Sequence, residues 1–287
     1  MRPIGLKSKI FLDSGDPAET KAVLSLLGFL DGQTTNPTLV SKNPYAKERF
    51  ERGEKFSETE LYDFYKKVVS EISNLIPDGS VSIEVYADTK TTAKQMLTQG
   101  IDMFTWIPNS HIKYPISEAG LSAAEQSIQQ GLRVNMTLCF SEEQAAAVYA
   151  ATKSAEKGDV YVSPFIGRLD DTGQNGMSLI ANISKLYANS DGHTEILAAS
   201  VRTMPQFMQS LALGADIITA PFSILSEWTK AGTPLPNPDF HYDSSGLQDM
   251  LYQALDLNKP WQAYNISHPL TIKGIDRFAA DWNQLIS

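Results

Sequence analysis

A single cysteine, Cys139, stands in a chain of 287 residues. That excludes an intramolecular disulfide and any cysteine-based metal cluster, and it fits a reducing, cytoplasmic setting. Long apolar runs are missing too: no segment approaches the roughly 18 consecutive apolar residues of a membrane-spanning helix. The opening MRPIGLKSKIFLDSGD has only a very short apolar run before Asp13 and does not read as a secretory signal. Asn135-Met136-Thr137, Asn182-Ile183-Ser184 and Asn265-Ile266-Ser267 match the glycosylation pattern, which a cytoplasmic chain leaves unused. Basic residues are in deficit, 24 against 33 acidic ones, for a formal net charge of −9. A general nucleic-acid binder needs a basic face, so that class is disfavoured. A local pocket of arginines still suffices for a small anion. The four histidines, His111, His193, His241 and His268, are scattered, and no acidic cluster has metal-ligand spacing. Neither a GxGxxG after the first strand nor a Walker-type loop is found. No metal and no cofactor is expected.

What is there is alternation. Strand-like runs fall at Lys9–Asp13, Leu30–Thr34, Val81–Val85, His111–Ile116, Arg133–Leu138, Asp159–Ser163, Glu195–Ser200 and Ala215–Thr219. Amphipathic stretches separate them. In ETELYDFYKKVVSEISNLI, Leu61, Phe64, Val68, Val69, Ile72 and Leu75 recur at helical spacing. SEAGLSAAEQSIQQG, SEEQAAAVYAATKSAEKG and MPQFMQSLALG read the same way, several with Ser or Asp to open and Gly131, Gly158 or Gly214 to close. About eight βα units in a chain of this length predict an α/β fold, a single (β/α)8 barrel over 1–287. A doubly wound open sheet is the competitor, weakened by the missing nucleotide loops. Thr233–Ser245 is rich in proline and polar residues and reads as a loop. It leads to additional C-terminal helices over about 244–287, including Leu270–Ile286.

In such a barrel, polar residues at strand C-termini converge at one end. They are Asp13, Asn36, Glu84, Lys113, Asn135, Thr137, Ser163, Arg168, Ser200 and Arg202. The set holds an amine nucleophile, carboxylates for proton transfer, hydroxyl-binding amides and an anion clamp. Lys113 in HIKYPIS sits among apolar neighbours, where an unpaired charge is expensive. An amine attacks a carbonyl only when unprotonated, and burial among Ile112, Tyr114 and Ile116 is expected to disfavour the ammonium. Singly, each residue has a plainer role. Lys113 could snorkel, Asp13 could cap the helix near Pro17, and Asn36 before Pro37 could make a turn. Arg168 could pair with Asp170 or Asp171.

Taken together, TTNPTLV (34–40), IKYPISEAGL (112–121), VNMTLCFSEEQA (134–145), VSPFIGRLDD (162–171) and AASVR (198–202) resemble the transaldolase family. IFLDSGDPAE near the start and LTIKGIDRFAADW (270–282) near the end resemble it too, so the likeness runs in order along nearly the whole chain. The resemblance implies a (β/α)8 barrel that moves a dihydroxyacetone unit from a ketose phosphate to an aldose phosphate. Fructose 6-phosphate and sedoheptulose 7-phosphate are the implied donors, in the non-oxidative pentose phosphate pathway. It implies Lys113 as Schiff-base lysine and Asp13 as the carboxylate that exchanges a proton with the sugar C4 hydroxyl. Glu84 corresponds to an acid acting through a water, and Thr137 to a hydroxyl that helps hold that water. Asn36 and Asn135 correspond to substrate-binding amides, with Ser163 beside them, and Arg168, Ser200 and Arg202 to the phosphate site. A related group of aldolases that release free dihydroxyacetone carries Gln where this chain has Glu84 and Tyr where it has Phe165. Both residues here match the transferases. A sugar-phosphate-binding barrel without catalysis is the remaining alternative. The implied partners are sugar phosphates, with no nucleic acid or membrane. Relatives occur as monomers, dimers and larger rings, so a homo-oligomer is compatible with the sequence.

Overall fold

The computed structural model describes residues 2–237 and 239–286. Eight strands run in chain order: β1 (Lys9–Asp13), β2 (Gly32–Thr34), β3 (Ser80–Glu84), β4 (Ser110–Pro115), β5 (Val134–Cys139), β6 (Val160–Pro164), β7 (Thr194–Ala198) and β8 (Ile217–Ala220). Each pairs in parallel with the next, and β1 pairs with β8, closing the barrel. Outside lie α1 (Pro17–Leu27), α2 (Pro37–Ser41), α3 (Pro44–Glu51), α4 (Glu58–Leu75), α5 (Ala93–Phe104) and α6 (Glu118–Gln129). The series continues with α7 (Glu142–Ala151), α8 (Ile166–Asp170), α9 (Gly176–Tyr187), α10 (Met204–Ala212), α11 (Phe222–Lys230) and α12 (Pro269–Asn283).

Local chemistry starts the helices where the sequence reading placed them. Ser57 with Glu60 and Thr203 with Gln206 form reciprocal capping boxes at α4 and α10. Asp16 caps α1 with Pro17 at its first position. Asp13 is therefore released from the capping role.

Contacts between non-adjacent strands define the interior. Near the strand N-termini, Lys9 Nζ on β1 meets Glu195 Oε1 on β7 at 3.0 Å. His111 on β4 stacks on Tyr161 of β6 at 4.1 Å, and Phe11 meets the same ring edge-on. This polar and aromatic layer plugs the lower barrel. One level up, Asn135 Nδ2 reaches across to Ser82 Oγ at 3.0 Å. The chemistry-bearing side chains sit above it, at the C-terminal end.

Strand ends differ from the sequence reading for visible reasons. β7 stops at Ala198 rather than Ser200, because Ser200 has φ +60 and cannot continue an extended chain. β2 begins at Gly32, not Leu30, since Asp31 turns its carboxylate to the Ile10 amide and Arg2. Of the C-terminal stretch over about 244–287, Trp261–Ala263 forms a single 3-10 turn and Pro269–Asn283 a helix. Residues 244–260 carry no helix; they run as a strap tied to α9 through Asn182 and to α7 through Glu142.

Candidate active site

Lys113 and Glu84 are register partners on β4 and β3. Parallel pairing sets their side chains side by side, and Lys113 Nζ lies 3.1 Å from Glu84 Oε2. Both residues are buried, at 3% and 4% exposure. Nζ also reaches the Thr35 carbonyl at 3.4 Å, with the Phe165 ring centroid 6.0 Å away. Burial pushes the Glu84 carboxyl above its ordinary value, against the pull of Lys113. The apolar flanks of Lys113 do not surround the amine, contrary to the sequence reading. Successive strand residues face opposite sides, and Tyr114 points outward, its hydroxyl 3.0 Å from Ser127 on α6. What surrounds the amine comes from other strands.

Asp13 ends β1 and accepts a 2.7 Å hydrogen bond from Thr34 Oγ1, which in turn meets Thr219 Oγ1 at 2.7 Å. Burial raises its pKa from 3.8, while Lys113 and the Thr34 bond act in the opposite direction. Asn36 has two duties: its Oδ1 caps α2 by accepting from the Leu39 amide at 2.9 Å, and the residue lines the pocket. Its amide donors are left for the pocket. Asn135 is pinned, donating to Ser82 and accepting from Ser163 Oγ at 2.6 Å. Thr137 is fully buried, and its hydroxyl has no hydrogen-bond partner among the described residues.

A cavity of about 180 Å3 opens above these groups. It gathers Asp13, Asn36, Lys113, Ser163, Phe165, Arg168, Ser200 and Arg202. Glu84, Asn135 and Thr137 do not line it; they lie beneath, in the first layer of supporting contacts. Arg168 and Arg202 come from different units, brought to one corner because Gly167 N donates to Ser200 O at 3.2 Å. A side chain at Gly167 would clash, since a Cβ there would lie 2.3 Å from Ser200 O. Arg202 pairs with Asp171 at 2.5 Å. Arg168 pairs with neither Asp170 nor Asp171: Asp170 is taken by Gln206 and the Gly176 amide. Burial lowers the Arg168 pKa to about 10, and repulsion from Arg277 and Arg202 adds to the effect.

Sequence reasoning missed several pocket residues. Thr34, Lys42, Thr219, Arg277 and Phe278 also line the cavity. Thr34 ends β2 and Thr219 is the penultimate residue of β8, so both were within reach of the strand-end rule. Lys42 follows α2, while Arg277 and Phe278 sit on α12, far along the chain from any barrel strand. Also unforeseen is Tyr65 on α4, whose hydroxyl accepts from the Glu84 amide at 2.9 Å and meets Thr35 Oγ1 at 2.5 Å. It buttresses both neighbours of the Lys113 amine.

The sequence model of the Transaldolase/Fructose-6-phosphate aldolase family matches residues 10–287. The chain belongs to this family. A probable transaldolase of Brucella melitensis is 36% identical over 274 residues, covering 96% of each chain. One from Dehalococcoides mccartyi is 34% identical over 277 residues, covering 96% of this chain and 99% of that one. One from Caulobacter vibrioides is 35% identical over 274 residues, again covering 96% of each. Within this transaldolase/aldolase barrel, among the described residues, no three or more His, Cys, Asp or Glu side chains group as a metal site. Among the described residues, no helix is long and apolar enough to cross a membrane.

Proposed function

We propose that this single-domain barrel is a transaldolase that transfers a dihydroxyacetone unit between sugar phosphates through a Schiff base on Lys113. The observation that carries the reading is Lys113, paired with buried Glu84 beneath it and facing a cavity bounded by Asp13 and the Arg168/Arg202 corner. The amine attacks the ketose C2 carbonyl once its proton has passed to a neighbouring base. Glu84, whose carboxyl is raised by burial, is suited to shuttle protons as the carbinolamine loses water. A water held by the unpartnered Thr137 hydroxyl would link the two. The resulting iminium withdraws electrons from C3. Asp13 takes the C4 hydroxyl proton as the C3–C4 bond breaks, and the aldose phosphate leaves. The remaining enamine is bound through Asn36 and Ser163, the latter held in place by Asn135. A second aldose phosphate is then attacked by C3 with the steps reversed. Arg168, Ser200 and Arg202 hold the phosphate of the donor ketose until the aldose phosphate leaves, and then that of the incoming acceptor.

Glu84 and Phe165 favour transfer over release of free dihydroxyacetone. A phenyl ring 6.0 Å from Nζ offers no proton to the enamine, where a tyrosine hydroxyl would. Borohydride trapping with fructose 6-phosphate, read by peptide mass, tests the reading. A three-carbon adduct on Lys113, absent in Lys113→Ala, is expected, as is sedoheptulose 7-phosphate once erythrose 4-phosphate is added. Free dihydroxyacetone without an acceptor would instead indicate the aldolase. Absence of any adduct would leave a non-catalytic binder.

A further inference from the structure

Arg168 is held in an unusual way for an arginine beside a carboxylate-rich loop. Its guanidinium lies over two rings, with its carbon 5.0 Å from the centroid of Phe165 and 5.2 Å from that of Phe278. The backbone of Gly274, one turn before Phe278 on α12, closes the slot: a Cβ there would fall 2.8 Å from Arg168 Nη1. No hydrogen bond or ion pair engages this guanidinium among the described residues, whereas Arg202 in the same corner is tied to Asp171. Stacking fixes the plane of a guanidinium through its faces and leaves its edge donors free. A carboxylate partner would fix it too, but would occupy donors and cancel charge. The α12 helix is itself anchored to the barrel at this point. Thr271 Oγ1 donates to Leu138 O at 2.9 Å and accepts from Gln144 Nε2 at 2.8 Å.

We propose that Phe278 is a positioning residue for anion recognition: with Phe165 and Gly274 it forms a slot that presents Arg168, unpaired and pre-aimed, to the substrate phosphate. The inference deepens the proposed function and rests on its assignment of Arg168 to the anion. It makes the C-terminal helix a determinant of preference for phosphorylated over neutral sugars.

Titration calorimetry of the full chain with inorganic phosphate tests it without needing turnover. Phe278→Leu keeps apolar bulk but removes the ring, and its phosphate Kd should rise about five- to tenfold. Phe278→Tyr keeps the ring and should stay within about twofold of wild type. In turnover, the Phe278→Leu loss should fall on KM for the phosphorylated ketose rather than on kcat. The kcat/KM ratio of fructose 6-phosphate to fructose should fall by the same factor. Gly274→Ala, which drives a methyl against the Leu138 side chain and Arg168 Nη1, is a second variant should Phe278→Leu fail to fold, and it should weaken phosphate likewise. Wild-type affinity for phosphate in both Phe278→Leu and Gly274→Ala would overturn the inference and leave the Schiff-base reading standing. A wild-type protein that traps a ketose on Lys113 yet binds no phosphate would overturn the anion role of Arg168, and this inference with it.

Discussion

Burial raises the Asp13 carboxyl above 3.8, because a carboxylate at this position is solvated less well than in water. The native state then binds that proton more tightly than the unfolded chain does. Stability therefore falls as pH rises from the unfolded carboxyl value through the raised native one. Asp13→Asn removes this loss and keeps a group able to accept from Thr34. Its Tm should exceed that of wild type at pH 7, with the gap closing toward pH 4. Its turnover should drop about 10²–10⁴-fold, the usual worth of a positioned acid or base. A lower Tm at pH 7 would mean that attraction to Lys113 outweighs desolvation. The residue types at Asp13, Glu84, Lys113 and Arg168 were legible in the sequence. The surroundings of the Lys113 amine were not, because neighbours in a strand point apart while the groups that meet come from other strands.

Among the elements, α4 and α12 contribute what no strand could. Tyr65 on α4 accepts from the Glu84 amide, so Tyr65→Phe leaves that buried N–H without a partner. The cost should be about 1–3 kcal/mol in urea unfolding, with the m-value unchanged. A cost near zero would mean that the amide finds another acceptor. On α12, Thr271→Val unties both Leu138 O and Gln144 Nε2 and should cost a similar amount, about 1–3 kcal/mol. Leu138 is held at φ +62, a conformation a leucine adopts only under constraint, so Thr271→Ser, which keeps the hydroxyl, should restore most of the loss. Helices α2, α3, α5, α8, α9 and α11 were not singled out, whereas the starts of α4, α6, α7 and α10 were readable from periodicity and caps. Which helix folds back over the barrel mouth was not, since amphipathic spacing reports that a face is buried without naming the surface that buries it.

Across the whole molecule, the lower barrel answers to acid in the opposite sense from Asp13. His111 bonds Ser80 and Gly158 and stacks on Tyr161, and burial lowers its pKa from 6.5 to about 3. The unfolded chain takes up a proton near 6.5 while the folded chain does not. The contribution of neutral His111 is therefore complete above pH 6.5 and is lost as pH falls from there toward about 3. His111→Asn should be less stable than wild type at pH 7, and the difference in Tm should narrow steadily toward pH 4. A constant difference would mean that the histidine titrates alike in both states.

Sequence alone established the eightfold βα alternation, which suits a closed barrel or an open sheet, and the residue types carried to the strand C-termini; closure itself appears only in the β1–β8 pairing. Alternation and residue types are local properties: period, caps, and the last polar residue of each strand. Tertiary structure alone decided that Glu84 and Lys113 meet as register partners, that Tyr65 supports them, and that Arg168 lies over Phe165 and Phe278 instead of pairing with Asp171. Apart from that of Arg168 with Phe165, those contacts join residues far apart in the chain. They follow from the stagger of eight closed strands and the return of α12 across their ends, and neither is encoded in any single stretch of sequence.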